Sequence, residues 1–324
     1  CSTGTAIVKE LLQRHGLQDR WAFIDYNGRH FGLSAVALQE VFRTADIFID
    51  MGSFGSGNWA AEADQVPVRV LYEGEPGYTQ MQMEKRRKAG QEVNEYDYYY
   101  TVGSQIGTPA ARAPDGGRTW RHLWAVIATD LFEVHPPPPN APFTTVMSWQ
   151  SHQPLEYEGV TYYAQKDIEF EKFLRLPQRV AAPMELRVSG NDIPHERLHK
   201  EGWNIHEPGL ITQSVEDYYA YMRRSAGEFS VSKSVFVQTR SGWFGDRSGN
   251  YLASGRPVVL QDTGFSNHLP CDEGLFAVNN EEEAAEAIRQ ITSDYERHSK
   301  AARRLAEEHL DARKLLGRFI AELS

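Results

Sequence analysis

The sequence predicts an α/β protein in two halves, each a parallel sheet with helices packed on it. Three observations carry this. Helical and strand patterns alternate along most of the 324 residues, as βα units require. Several strands are short apolar runs closed by glycine turns, the form of a buried parallel strand. Four consecutive prolines, Pro136–Pro139, separate one such alternation from the next.

In the first half, "AIVKELLQRHG" is an amphipathic helix closed by Gly16, "RWAFIDY" a strand and "SAVALQEVFRTA" a second helix. "DIFIDMGS", "VRVLYEGEPG" and "YDYYYTVGSQIG" are strands running into glycine turns. Ligands of parallel sheets sit beyond the carboxyl ends of the strands, so Gly52-Ser53, Glu73 to Tyr78 and Gly103-Ser104-Gln105 are expected at one crevice. The prolines in "EVHPPPPNAPF" cannot continue a helix or a central strand. They read as a semi-rigid interdomain connector, with a proline-rich recognition peptide as the alternative. The boundary falls there, dividing the chain into 1–140 and 141–324.

The second half restarts with the strand "FTTVMSW". "DIEFEKFLRLP" reads as a helix, "MELRVSG" and "GWNIHEP" as strands, "VEDYYAYMRRS" as a helix, and "EFSVSK" and "SVFVQT" as strands. A long helical tail begins at "EEEAAEAI", its charges forming a solvated face.

Composition excludes several classes. With 41% hydrophobic and 24% charged residues the chain is globular, and 34 basic against 44 acidic residues leave a net charge of −10. That balance opposes a broad nucleic-acid or anionic-membrane surface, though it allows a local basic pocket. No apolar run reaches the roughly 20 residues of a membrane span. No signal peptide is visible, so the expected location is cytoplasmic. The chain opens without Met and almost directly on a helix, which suggests a missing N-terminal segment. Cys1 and Cys271 match no zinc or redox spacing and read as free thiols of a reducing compartment.

The richest stretch is "SGWFGDRSGNYLASGRPVVLQDTGF", Ser241 to Phe265. Asp246 is a good N-cap, 247–254 make two helical turns, and Gly255 fits the left-handed position past the end. "VVLQ" suits a buried parallel strand, and Gly264 lets backbone approach a ligand. Helix N-termini bind anions, while Arg247 in the first turn opposes the helix dipole. A phosphate against its guanidinium would explain it; the alternative is a surface arginine paired with a carboxylate.

This stretch, with "EFSVSKSVFVQTR" before it and the "EEAAEAI" helix after it, resembles the donor half of GT-B glycosyltransferases, in particular family-1-like and spore-maturation-type bacterial enzymes. "GLQDRWAFID", "VRVLYEGEPGYTQ" and "YTVGSQIG" resemble their first halves. The resemblance implies two Rossmann-like domains facing across a cleft. Residues 1–140 would be the acceptor side and 141–324 the donor side, with the last helix, from about Asp311, packing back on the first domain. Many retaining members carry two glutamates eight positions apart around this helix. Registered on "ASGRPVV", those positions hold Gly242 and Asn250, so the stereochemistry stays open.

Sugar transfer places negative charge on the departing diphosphate, which arginine, lysine and backbone N–H groups can offset without a metal. The donor-binding candidates are Ser148, Trp149, Lys233, Ser241, Gly245, Asp246, Arg247, Ser248, Thr263, Gly264 and Phe265. Trp149 could equally be core or hinge packing, and Lys233 a solvated lysine. His206, in the expected nucleobase segment "GWNIHEPGL", contacts base or ribose or is simply satisfied within the fold. An inverting mechanism needs a base on the acceptor side. Glu75 is the first choice and Glu73 and Asp50 follow; all three also suit capping or turn roles. Thr79, Gln80, Ser104 and Gln105 are candidate contacts to acceptor hydroxyls. No DxD motif, zinc cluster, nucleophile elbow or Walker loop is present. The expected function is metal-independent hexosyl transfer from a nucleotide-diphospho-sugar, with no obligatory cofactor. The rivals are a nucleotide-sugar epimerase of the same fold and a non-catalytic nucleotide-sugar-binding protein.

Overall fold

The computed structural model describes residues 2–52, 61–91, 94–150, 153–209 and 211–323. The chain forms two compact units, Cys1–Leu71 with Asn94–Tyr98, and Tyr72–Val93 with Tyr99–Ser324. Most of 72–140 therefore clusters with the second half of the chain.

In the first unit, α1 (Ser2–Arg14) ends before Gly16, which takes the left-handed conformation expected of a helix stop. "RWAFIDY" contributes a short strand, β1 (Ala22–Ile24), which turns back antiparallel onto β2 (His30–Gly32). The turn forms because the Asp25 carboxylate accepts the N–H groups of Asn27 and Arg29. The Ser34 hydroxyl caps α2 (Ala35–Thr44) by accepting the Ala37 N–H. β3 (Ile47–Asp50) lies parallel to β4 (Val68–Glu73), in register from Ile47–Val68 to Asp50–Leu71.

In the second unit the end of β4 leads into α3 (Tyr78–Lys88), and β5 (Tyr98–Thr101) pairs parallel with β6 (Trp120–His122). The remaining elements are β7 (Phe143–Ser148), the hairpin β8 (Leu155–Tyr157) and β9 (Val160–Tyr162), α4 (Asp167–Phe170), β10 (Met184–Ser189), α5 (His195–Lys200), β11 (Asn204–His206), α6 (Val215–Arg223), β12 (Gly227–Ser230), α7 (Ser234–Thr239), α8 (Asp246–Ala253), β13 (Val258–Gln261), β14 (Leu275–Val278), α9 (Glu281–Ser293), α10 (Tyr295–Leu305) and α11 (Ala312–Leu323). β7 and β10–β14 form one all-parallel sheet in the order β11-β10-β7-β12-β13-β14. Numbered by chain position these strands run 3-2-1-4-5-6, the doubly wound order, whose direction reverses between β7 and β12. Its core is apolar and aromatic. Trp203 packs between Phe170 and Phe229, and its indole N–H donates to the Leu174 carbonyl at 2.8 Å.

Three local expectations are corrected. "SVFVQT" is not a strand but the helix α7, which ends where Arg240 turns left-handed (φ 49°). Its β-branched residues favour a strand, but burial of Val235 and Phe236, the latter stacked on Trp243, overrides propensity. "DIEFEKFLRLP" is not one helix: the single turn of α4 passes into short 3-10 turns at Glu171–Phe173 and Leu176–Gln178. Asp246 is the first residue of α8 and not its cap; Gly245 takes the extended cap conformation. Gly255 is left-handed (φ 67°), as its position past the helix predicts.

The proline run is stapled to this unit. Fully buried Arg256 donates to the carbonyls of His135 and Arg223. Arg303 donates to those of Thr129, Phe132 and Ala253. After a π-helical turn at Ala306–Leu310, α11 runs back over β5: Phe319 meets Tyr100 edge-on at 4.9 Å, and the Tyr100 hydroxyl donates to Glu322 at 2.6 Å.

Gly242 and Gly159 both hold left-handed backbone, with φ 73° and 77°, but differ in surroundings. A Cβ on Gly242 would fall on Ser104 Oγ and lie 2.8 Å from the Gln105 nitrogen, whereas one on Gly159 meets nothing within 4 Å. Gly159→Ala should cost about 1 kcal/mol, from backbone strain alone. Gly242→Ala should cost about 3 kcal/mol, read as the larger fall in denaturant midpoint.

Candidate functional site

A cleft of about 460 Å³ opens beyond the carboxyl ends of β7, β10 and β12. This is where the strand order reverses, the position at which doubly wound sheets bind ligands. Ser148 and Ser189 stand at the strand ends, and three cationic side chains converge: Lys166, Lys233 and Arg247.

Arg247 reaches from the first turn of α8 to the centre of the sheet. Its Nε donates to Glu228 Oε1 at 2.5 Å, Nη1 to the Val146 carbonyl at 2.7 Å and Nη2 to Ser230 Oγ at 2.5 Å. Burial opposes its charge, but the fully buried Glu228 carboxylate more than offsets this and holds the guanidinium firmly protonated. The carboxylate-paired alternative is therefore present, though as a buried anchor and not a surface pair. A guanidinium has five N–H groups, three of which are spent here, and Arg247 lines the cleft.

Lys166 precedes α4 and is 8% exposed. Among the described residues its ammonium makes no hydrogen bond or ion pair. Burial, and after it Arg247, pushes the group well below the usual lysine range. Sequence reasoning missed this residue. A cation at a helix N-terminus opposes the dipole, so the signal that drew attention to Arg247 would have found Lys166 as well.

Lys233 lies just beyond β12, and its ammonium grips Glu75 with both carboxylate oxygens, at 2.5 and 2.7 Å. The Glu75 N–H donates to Glu73 Oε2 at 2.8 Å. Glu73 is buried and also receives Thr101 Oγ1, Gln80 Nε2 and the Thr79 side chain. Burial, only partly opposed by these donors, pushes its carboxyl up to about 7.

Several other candidates build a junction outside the cleft lining. The Gln105 N–H donates to the Ser241 carbonyl, and the Ser104 N–H and hydroxyl to that of Gly242. The Gln105 amide donates to the Gly264 carbonyl at 2.6 Å while its own Oε1, buried, meets no partner among the described residues. The Gly242 N–H donates to Thr263, whose hydroxyl donates to the Trp243 carbonyl, and the Gly264 N–H donates to Asp262. Gly264 is left-handed (φ 100°), and a Cβ there would fall on the Gln105 amide. Phe265 packs on Phe244. Ser104, Gln105, Ser241, Thr263 and Gly264 thus bind one another.

Gln80 is likewise buried, spent on Glu73 and on the Gly77 N–H, and Thr79 is half-buried beside it. Trp149 lies in the core against Phe170. His206 is half-buried in β11 and does not line the cleft. Gly245 is buried, Asp246 exposed, and the buried Ser248 hydroxyl has no partner among the described residues.

Of the segments expected at one crevice, two meet. Gly103 abuts Pro76, and the Val102 N–H donates to the Glu73 carbonyl. Gly52 belongs to the first unit, where Asp50 is spent on the Tyr96 hydroxyl and the Gly52 N–H. Ser53 lies outside the described residues, as does Leu210 of the nucleobase segment. Among the described residues no cluster of three or more His, Cys, Asp or Glu could hold a metal ion. No helix among them is long and apolar enough to cross a membrane.

No family model matches the chain, and no curated protein does. Solved structures do. Anabaena Alr3699/HepE, solved in complex with UDP and glucose, aligns over 97% of this chain and 88% of its own, with TM-score 0.54 and 12% identity. AviGT4, a glycosyltransferase involved in avilamycin A biosynthesis, aligns over 89% and 77%, with TM-score 0.52 and 12% identity. TarM aligns over 91% of this chain, which spans 59% of TarM's length, with TM-score 0.53 and 10% identity. The chain has the GT-B glycosyltransferase fold.

The Glu73 carboxyl gives a pH prediction. Its folded pKa, about 7, lies above the ordinary 4.5. Its contribution is therefore fully present below about pH 4.5 and is lost as pH rises through about 7. Urea titrations from pH 4 to 8 should show wild-type stability falling across that window relative to Glu73→Gln, which has no carboxyl to ionise.

Proposed function

We propose that the protein is a glycosyltransferase moving a hexosyl group from a nucleotide-diphospho-sugar, without a required metal or cofactor, to an acceptor hydroxyl. The carrying observation is the cleft at the strand-order reversal of a GT-B fold, where Lys166, Lys233 and Arg247 converge. A diphosphate would restore full charge to Lys166 and engage the unused N–H groups of Arg247. As the bond to the anomeric carbon breaks, negative charge grows on the diphosphate, and these three cations stabilise it. HepE is solved with UDP-glucose, which makes UDP the first donor nucleotide to test.

Residues 141–324 supply the donor side in this reading and 1–140 the acceptor side, with α11 packing back on the latter. Glu75, joined to the cleft through Lys233, is the base that takes the acceptor's proton, and the transfer then inverts. Ser148 at the mouth of the cleft contacts the diphosphate. Ser241, Thr263, Gly264 and Phe265 shape the junction beside it. Ser104, Gln105 and Gln80 are assigned to holding the loops, leaving Thr79 as the weaker acceptor contact and His206 as a peripheral nucleobase contact. A cytoplasmic location belongs to the same proposal.

Calorimetric titration with UDP, GDP, TDP and ADP tests it. One nucleoside diphosphate should bind selectively, and Lys166→Ala should weaken it by about tenfold or more, the scale of one lost charge-assisted contact. Arg247→Ala should weaken it too, with a fall in stability of about 3 kcal/mol because Glu228 is left buried and unpaired. No binding by any of the four to folded protein would overturn the reading.

A further inference from the structure

Glu75 and Lys233 lie 158 residues apart in sequence and form a bidentate ion pair at the edge of the cleft. The two sides of the pair differ. Glu75 is 39% exposed, and its loop is held from behind, through its own N–H, by buried Glu73. Lys233 is 14% exposed, lies 5.5 Å from the Phe236 ring centroid, and lines the cleft with Lys166 and Arg247. Among the described residues Glu75 is the only acceptor for the Lys233 ammonium.

An ammonium has three donors in a compact head, and two here are spent on one carboxylate. A third partner bearing strong negative charge would draw the head off Glu75, because a lysine stem reorients easily while the Glu75 loop is fixed. In the glycosyl-transfer reading, the proposed base and one of the proposed diphosphate cations are thus partners of each other.

We propose, building on the glycosyl-transfer reading, that Lys233 is a shared cation which passes from Glu75 to the donor diphosphate, so that donor binding frees the base. With the donor seated, Glu75 takes the proton of the acceptor hydroxyl. The acceptor oxygen forms its bond to the anomeric carbon, and the bond from that carbon to the diphosphate oxygen breaks. Its electron pair leaves on the diphosphate, now held by Lys233 with Lys166 and Arg247. Without donor, Lys233 keeps Glu75 occupied, and an acceptor hydroxyl meets no free base. Lys233 is a positioning residue for Glu75 in one state and a diphosphate contact in the other.

The competition is measurable without knowing the acceptor. UDP and UMP are titrated calorimetrically into wild type, Glu75→Gln, Lys233→Met and the double variant, each checked for folding by thermal melt. Should the nucleotide screen select another base, its di- and monophosphate replace UDP and UMP. Removing the competing carboxylate should tighten UDP by about tenfold in Glu75→Gln and leave UMP unchanged, since only the distal phosphate competes for Lys233. Lys233→Met should weaken UDP, and in that background Glu75→Gln should have no effect. UDP affinity unchanged by Glu75→Gln, in a protein whose wild type binds UDP, overturns the shared cation and leaves the proposed function standing. Equal tightening of UDP and UMP also overturns it, because the effect would then be one of general charge. Failure of folded wild type to bind any nucleoside diphosphate overturns both. Glu75→Gln separates the shared cation from the proposed function, and its isosteric change is the one least able to disturb the fold.

Discussion

The second unit is organised around one guanidinium. Arg247 starts on α8 and is tied to β12 through Glu228 and Ser230 and to β7 through the Val146 carbonyl. These two strands flank the reversal of strand order, so the contact pins a helix across the opening in which the cleft forms. A buried ion pair gains little net stability, because desolvation of both charges offsets their attraction. Its value here is geometric: only one placement of α8 lets the guanidinium meet a carboxylate, a hydroxyl and a carbonyl at once.

Glycine makes the second constraint. Gly242 and Gly264 bring two turns of the sheet's loops onto Ser104 and Gln105, in space that any side chain would fill. Position 242 therefore has no room for a side chain in this packing. The charges that remain at the cleft are cations, balanced by Glu75 and Glu228.

Local signals carried much of this. The Gly-Asp-Arg turn, α8, left-handed Gly255 and the buried strand β13 were legible because each depends on a few adjacent residues. Other features depend on distant ones. Lys166 is brought to the cleft only after the β8–β9 hairpin, which packs on α3 through the Tyr157 hydroxyl to Glu84 and Lys85 to the Glu156 carbonyl. Gln105 and Ser104 look like loop residues free to meet a ligand, and only the fold shows that they are spent on Gly264 and Gly242. In α7 the β-branched pattern misled, because burial against Trp243 decided the matter. The partner of Lys233 could not be read from its own segment at all.

The distances along the chain have a temporal consequence. Tyr100 waits 222 residues for Glu322, and Gln105 waits 159 for Gly264. Closing such spans is slow compared with forming a helix or a hairpin. On a ribosome, the loop that carries Glu75 emerges long before anything that can hold it, and it meets Lys233 only when most of the large sheet has been made. The protein should therefore gain its binding competence late and all at once, and a nascent chain stalled before β12 should have strands and helices but no cleft.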